Sequence, residues 1–109
     1  MLKREFKIKN SEEIKNILKL GRKIRGNSLT LFVAAGAQTH CRAAVVVSRK
    51  VATGAVIRNR ARRILFSILE KNFASWEDRA ISDMVVMVMN IPEDEKLLKD
   101  DLEQCFTRW

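Results

Sequence analysis

The sequence predicts an α+β fold: a single-domain sandwich of an about four-stranded sheet packed with three helices, in the order α-β-β-(β)-α-β-α. Three observations carry this expectation. A chain of 109 residues buries roughly two-thirds of the surface its unfolded form exposes, enough for one core without staples. Its 47% hydrophobic and 31% charged content is that of an ordinary globular domain. The apolar positions change period along the chain, helical over 11–20, 55–72 and 93–108, and alternating or β-branched between them.

Taken in order, Asn10 and Glu13 have capping-box spacing, with Asn10 as N-cap and Glu13 at N3. Ile14, Ile17 and Leu18 then follow the helical period, so 11–20 forms a short helix that ends near Gly21. A short strand over Lys23–Arg25 is the bracketed element. In NSLTLFVAAG, Leu29, Leu31 and Val33 alternate with Thr30 and Phe32, which predicts a strand with one face to the core. Phe32 then lies on the other face. There it either packs beneath a helix or, if that face is open, offers a stacking platform to single-stranded nucleic acid. AGAQTH reads as a turn, and Cys41–Ser48 as a strand whose β-branched run suits a central position. RKVATGA is a loop, Ala55–Asn72 a helix, FASWEDRAIS a connection and Asp83–Asn90 an apolar strand. Pro92 is placed at N1 of a last helix over 93–108, with Glu93, Asp94 and Glu95 suiting the dipole of its first turn. Leu97, Leu98, Leu102, Cys105, Phe106 and Trp109 form its buried stripe. With no repeat or linker, residues 1–109 read as one RNA-binding domain, on the grounds that follow.

The net charge is +8, and its distribution matters more than its size. From Ile14 to Leu69 there are 56 residues, twelve Lys or Arg among them and not one Asp or Glu. From Glu70 to Trp109 ten acids face five basic residues. A surface evolved only for solubility mixes its signs, whereas a field of one positive sign is suited to a polyanion. The N-terminus has positive charge but no apolar stretch of the signal-peptide kind, and no run of about 18 apolar residues could span a membrane. The two cysteines, Cys41 and Cys105, read as buried thiols in a reducing compartment. A cytoplasmic protein is expected.

The densest basic stretch is AVIRNRARRILFSIL, Ala55–Leu69, with four arginines in six positions. On a helical wheel Ile57, Ala61, Ile64, Leu65 and Ile68 gather within about a third of the circumference and should face the sheet. Arg58 and Arg62 share one flank at i, i+4, Arg60 lies on the other, and Asn59 and Arg63 point outward. Like charges at that spacing repel mildly, and phosphates between them would remove the repulsion. Planar guanidinium groups donate in pairs to phosphate oxygens. Phe66 falls opposite the core stripe, where it is either an ordinary exposed aromatic or a stacking partner beside Arg62 and Asn59. No catalytic constellation is visible. His40, the one histidine, has no acid beside it, and the acids of 93–103 read as dipole partners and a solvated face.

The run SRKVATGAVIRNRARRIL, Ser48–Leu65, resembles the signature of the protein subunit of bacterial ribonuclease P. In that family a strand ends in Ser with two basic residues, and a short loop leads to an R-N-R-x-[KR]-R helix. Ser48, Arg49, Lys50, Ala55, Val56, Arg58, Asn59, Arg60, Arg62 and Arg63 match. The resemblance implies a ribonuclease P holoenzyme that removes the 5′ leader of precursor transfer RNA, with catalysis carried by the RNA subunit. It implies two partners, the catalytic RNA and the precursor transfer RNA, no membrane, and a protein monomeric by itself. It implies Mg2+ held mainly by the RNA, and none bound tightly by the protein alone. Arg49, Lys50, Arg58, Asn59, Arg60, Arg62 and Arg63 would contact RNA, and Thr30, Phe32, Val46 and Ser48 would form the leader cleft. It further implies a left-handed β-α-β crossover through the arginine helix, against the usual right-handed rule. Where the family often carries aromatics on the first helix this chain has Ile14 and Leu18, and where it commonly carries R-E this chain has Phe66–Ser67. The alternative is a structural RNA-binding protein of ribosomal type with no processing role.

Overall fold

A computed structural model describes residues 6–36, 40–73, 82–94 and 96–109. Helix α1 (Ser11–Leu20) starts where the Asn10 side chain accepts from the Glu12 and Glu13 amides, at 2.8 and 3.4 Å. Glu13 does not complete the capping box. Its carboxylate is drawn instead to Arg42, 3.3 Å away, because a guanidinium is a stronger partner than the cap amide. Four strands follow: β1 (Arg22–Arg25), β2 (Leu29–Ala35), β3 (Arg42–Val47) and β4 (Ser82–Val88), with helix α2 (Ala55–Phe73) between β3 and β4 and helix α3 (Leu97–Thr107) closing the chain.

The sheet order is β1-β2-β4-β3, antiparallel except for the parallel pair β3–β4 that α2 connects. β3 is therefore an edge strand, not the central one its valines suggest. Those valines are protected all the same, because both faces of β3 are packed and its edge is occupied. The Ile8 amide donates to the Ala43 carbonyl at 2.9 Å, laying the N-terminal segment alongside. The expected turn around 37–39 and most of the connection over 73–82 lie outside the described residues.

Alternation along the strands divides the core. Leu29, Leu31, Val33, Val45, Val47, Met84, Val86 and Val88 face α2 and α3, where they meet Leu65, Leu69, Leu98, Leu102 and Phe106. Phe32, Ala44 and Val85 face the other way and pack against Ile17, Ile14 and Leu18 of α1. Arg42 clamps α1 to the sheet. It donates to Asp83 at 2.8 and 3.1 Å and to Glu13, and this pairing pushes its pKa further up, so the buried guanidinium stays charged.

Two expectations about the helices need correction. α3 begins at Leu97 rather than 93, because Asp94 closes a turn first: its side chain accepts from the Lys96 amide at 3.0 Å and its carbonyl from Leu97 at 3.0 Å. Pro92 is thus not at N1, and Leu97, expected in the stripe, is 51% exposed. In α2 the buried face is turned by about 60° toward the Arg58–Arg62 flank relative to the wheel drawn above. Ala61, Leu65, Phe66, Ile68 and Leu69 are buried, Ile64 is half-buried, and Ile57 is 41% exposed. Phe66 is accordingly a core residue and not an exposed aromatic. Of the cysteines, Cys105 is buried, with its thiol pKa pushed up by that burial, whereas Cys41 is only half-buried.

Candidate nucleic-acid interface

The basic surface is built from three pieces. The first is the turn after β3, where the Ser48 carbonyl accepts from the amides of Val51 and Ala52 at 3.1 and 3.2 Å. That turn leaves Arg49 and Lys50 exposed. The second is the start of α2. Gly54 accepts the first intrahelical bond, from the Arg58 amide, and has no side chain to cap the amides that follow. There is no acid in the first turn. Cations there oppose the helix dipole, an arrangement that favours an anion arriving from outside.

Arg58 joins these two pieces. Its guanidinium donates to the carbonyls of Ala52 and Thr53 at 2.9 and 2.8 Å, holding the loop against the helix. This revises the wheel reading: Arg58 and Arg62 are both half-buried, and Arg58 is committed to backbone carbonyls. Asn59, Arg60 and Arg63 make up the outward face, with Arg62 donating to the Asn59 side chain at 3.2 Å.

The third piece was not legible in the sequence. Lys7 precedes the acid-free run, yet the bridge to Ala43 carries it to α2, where its ammonium lies 4.9 Å from the Phe66 ring centroid. Phe66 thus carries a cation over its ring beside the arginine face.

The sheet face on the α1 side holds the proposed cleft residues. Register places Thr30 across from Met87 and Met87 across from Val46, so one row crosses β2, β4 and β3. Phe32 sits one row away under α1, as the packing expectation had it. It is packed beneath a helix and 8% exposed, and it also borders a groove with Thr30, Met87 and Met89. Val46 is half-buried and Ser48 exposed; neither borders that groove. Among the described residues no cluster of His, Cys, Asp and Glu could hold a metal ion. Glu13 and Asp83 are engaged by Arg42, and Asp101 by backbone amides. Among the described residues no helix is long and apolar enough to cross a membrane.

The sequence profile of the family described as Ribonuclease P matches residues 2–109. The chain belongs to the ribonuclease P protein family. It is similar to the ribonuclease P protein component of Borrelia hermsii, 33% identical over 105 residues and covering 92% of this chain and 91% of that protein. The component from Borrelia turicatae is 32% identical over 113 residues, covering 99% and 98%. In fold it matches the RNase P protein of Staphylococcus aureus (TM-score 0.80, 19% identity, 94% of both chains) and that of Thermotoga maritima (0.76, 18%, 94% and 96%). A ribonuclease P protein is a component of an endoribonuclease holoenzyme that matures transfer-RNA 5′ ends. The purely structural RNA-binding alternative is thereby set aside, and an RNA partner in the holoenzyme follows.

Proposed function

We propose that this chain docks on the catalytic RNA through Arg49, Lys50, Asn59, Arg60, Arg62 and Arg63. In the same reading the sheet face at Thr30, Phe32, Val46 and Ser48 receives the single-stranded leader of precursor transfer RNA. The observation that carries the reading is the division of surfaces. Guanidiniums without a first-turn acid stand on one corner, and a soft apolar groove opens on the other face of the sheet. Arg58 has a positioning part, keeping the Arg49–Lys50 turn against α2. The chain's own residues bind and orient RNA, and magnesium ions held by the RNA supply the hydrolytic chemistry. A cytoplasmic monomer is the state in which it would meet that RNA.

Salt dependence tests the first surface. If about six phosphates are neutralised, log K for the catalytic RNA falls with log salt at a slope near −4 to −5. A slope shallower than about −2 would exclude the basic corner as the main contact. Phe32→Leu tests the second, since it keeps most of the volume but loses the ring. Binding of precursor transfer RNA should weaken by about 1 kcal/mol more than binding of mature transfer RNA, the low end for base stacking because the ring is mostly covered. Equal losses would reduce Phe32 to a packing residue.

A further inference from the structure

The sheet edge farthest from α2 carries a second set of cations that the docking and cleft residues above leave unused. Arg22, Lys23 and Arg25 of β1 are all exposed, and Ile24 between them is buried. Register sets Lys23 across from Phe32 and Arg25 across from Thr30, so both stand on the cleft side of the sheet. The Lys23 ammonium lies 5.8 Å from the Phe32 ring centroid. The Arg25 carbonyl accepts from the Arg108 guanidinium, and Arg22 donates to the Arg108 carbonyl, which ties β1 to the end of α3. Among the described residues no carboxylate pairs with Lys23 or Arg25.

Beside these cations lies the groove of about 300 Å³, lined by Thr30, Phe32, Met87 and Met89. Cations on a free edge also discourage strand pairing between molecules. That role would not require an apolar trough next to them, nor a methionine left 56% exposed at its rim. Polarizable thioethers accept flat rings of varied shape, and the adjacent ammonium and guanidinium suit the phosphates between such rings.

We propose that β1 is a second phosphate rail: the leader crosses the sheet from the β3 side, a base settles on Met87 and Met89, and its flanking phosphates are held by Lys23 and Arg25. This rests on the cleft reading above. The rail is three inter-strand spacings from β3, about 14 Å, so only leaders long enough to cross the sheet reach it.

The test is a leader-length series of precursor transfer RNAs bound by the reconstituted holoenzyme, with wild-type protein and with Lys23→Gln/Arg25→Gln. Both side chains are exposed, and a melting curve on the same preparation checks the fold. With long leaders the variant should bind about tenfold more weakly, with a salt slope shallower by about 1.4, or 0.7 for each single-strand phosphate lost. With the shortest leaders and with mature transfer RNA it should match the wild type. Returning positive charge as Lys23→Arg/Arg25→Lys should restore most of the affinity. An equal loss at every leader length, or none at any, would overturn the rail. If wild-type binding itself ignores leader length, the cleft reading fails, and the rail with it. If the length effect persists undiminished in the variant, only the rail fails.

Discussion

Replacing Arg60 and Arg63 together with Ala should weaken assembly with the catalytic RNA by about 3 kcal/mol, roughly 150-fold in Kd. The same variant should melt close to the wild type. Both residues sit on the outward face of α2, away from the buried Ala61, Leu65 and Ile68. Charge-assisted bonds to phosphate contribute about 1.5–3 kcal/mol each, and losing two leaves phosphate charge without its partner. Arg58→Ala should behave differently. It removes two hydrogen bonds to the Ala52 and Thr53 carbonyls, so it should lower the melting temperature and loosen the Arg49–Lys50 turn as well as weaken RNA binding. The i, i+4 repulsion between Arg58 and Arg62 is therefore a poor guide to stability here, because Arg58 is anchored elsewhere. A double Arg60/Arg63 variant that melts early yet binds RNA normally would make those arginines structural.

The largest stability effect is expected at Asp101. This buried α3 carboxylate accepts from three successive amides of the β1–β2 turn, Asn27 at 2.7 Å, Ser28 at 2.6 Å and Leu29 at 3.2 Å. Asp101→Asn turns an amide NH2 toward at least one of these donors and removes the charge that strengthens the others. A loss of about 3 kcal/mol in a denaturant titration is expected, a large share of a typical domain's total of 5–15 kcal/mol. Gly26→Ala should do similar damage by a steric route, since a Cβ there would overlap the Asp101 carboxylate. The two changes act on one contact, so the double variant should cost clearly less than the sum. Additive losses would show that the two changes act on separate contacts.

How much of this was legible in the sequence depended on whether a feature is local. The bounds of α1, the alternation in β2 and the start of α2 are written in neighbouring residues and were read correctly. Strand order is not local: nothing in Val45–Val47 tells an edge covered by an N-terminal segment from a central strand. The rotation of α2 was missed because a wheel weights every aliphatic alike. Tertiary packing buried Phe66 and Leu69 and left Ile57 in solvent. Glu13 shows the same override, since a distant guanidinium outcompeted the cap. The arginine face itself was visible because charge that lacks local acids stands out in one dimension. Lys7 and the β1 cations join functional surfaces only through pairing across the sheet, which the linear sequence does not display.

Cleavage of precursor transfer RNA by the catalytic RNA at limiting magnesium, measured as kcat/KM with and without this chain, tests both surfaces at once. The wild-type protein should restore cleavage, Arg60→Ala/Arg63→Ala should do so only at much higher protein concentration, and trimming the leader should remove much of the gain. Restoration that is indifferent to both the arginines and the leader would contradict this division of surfaces.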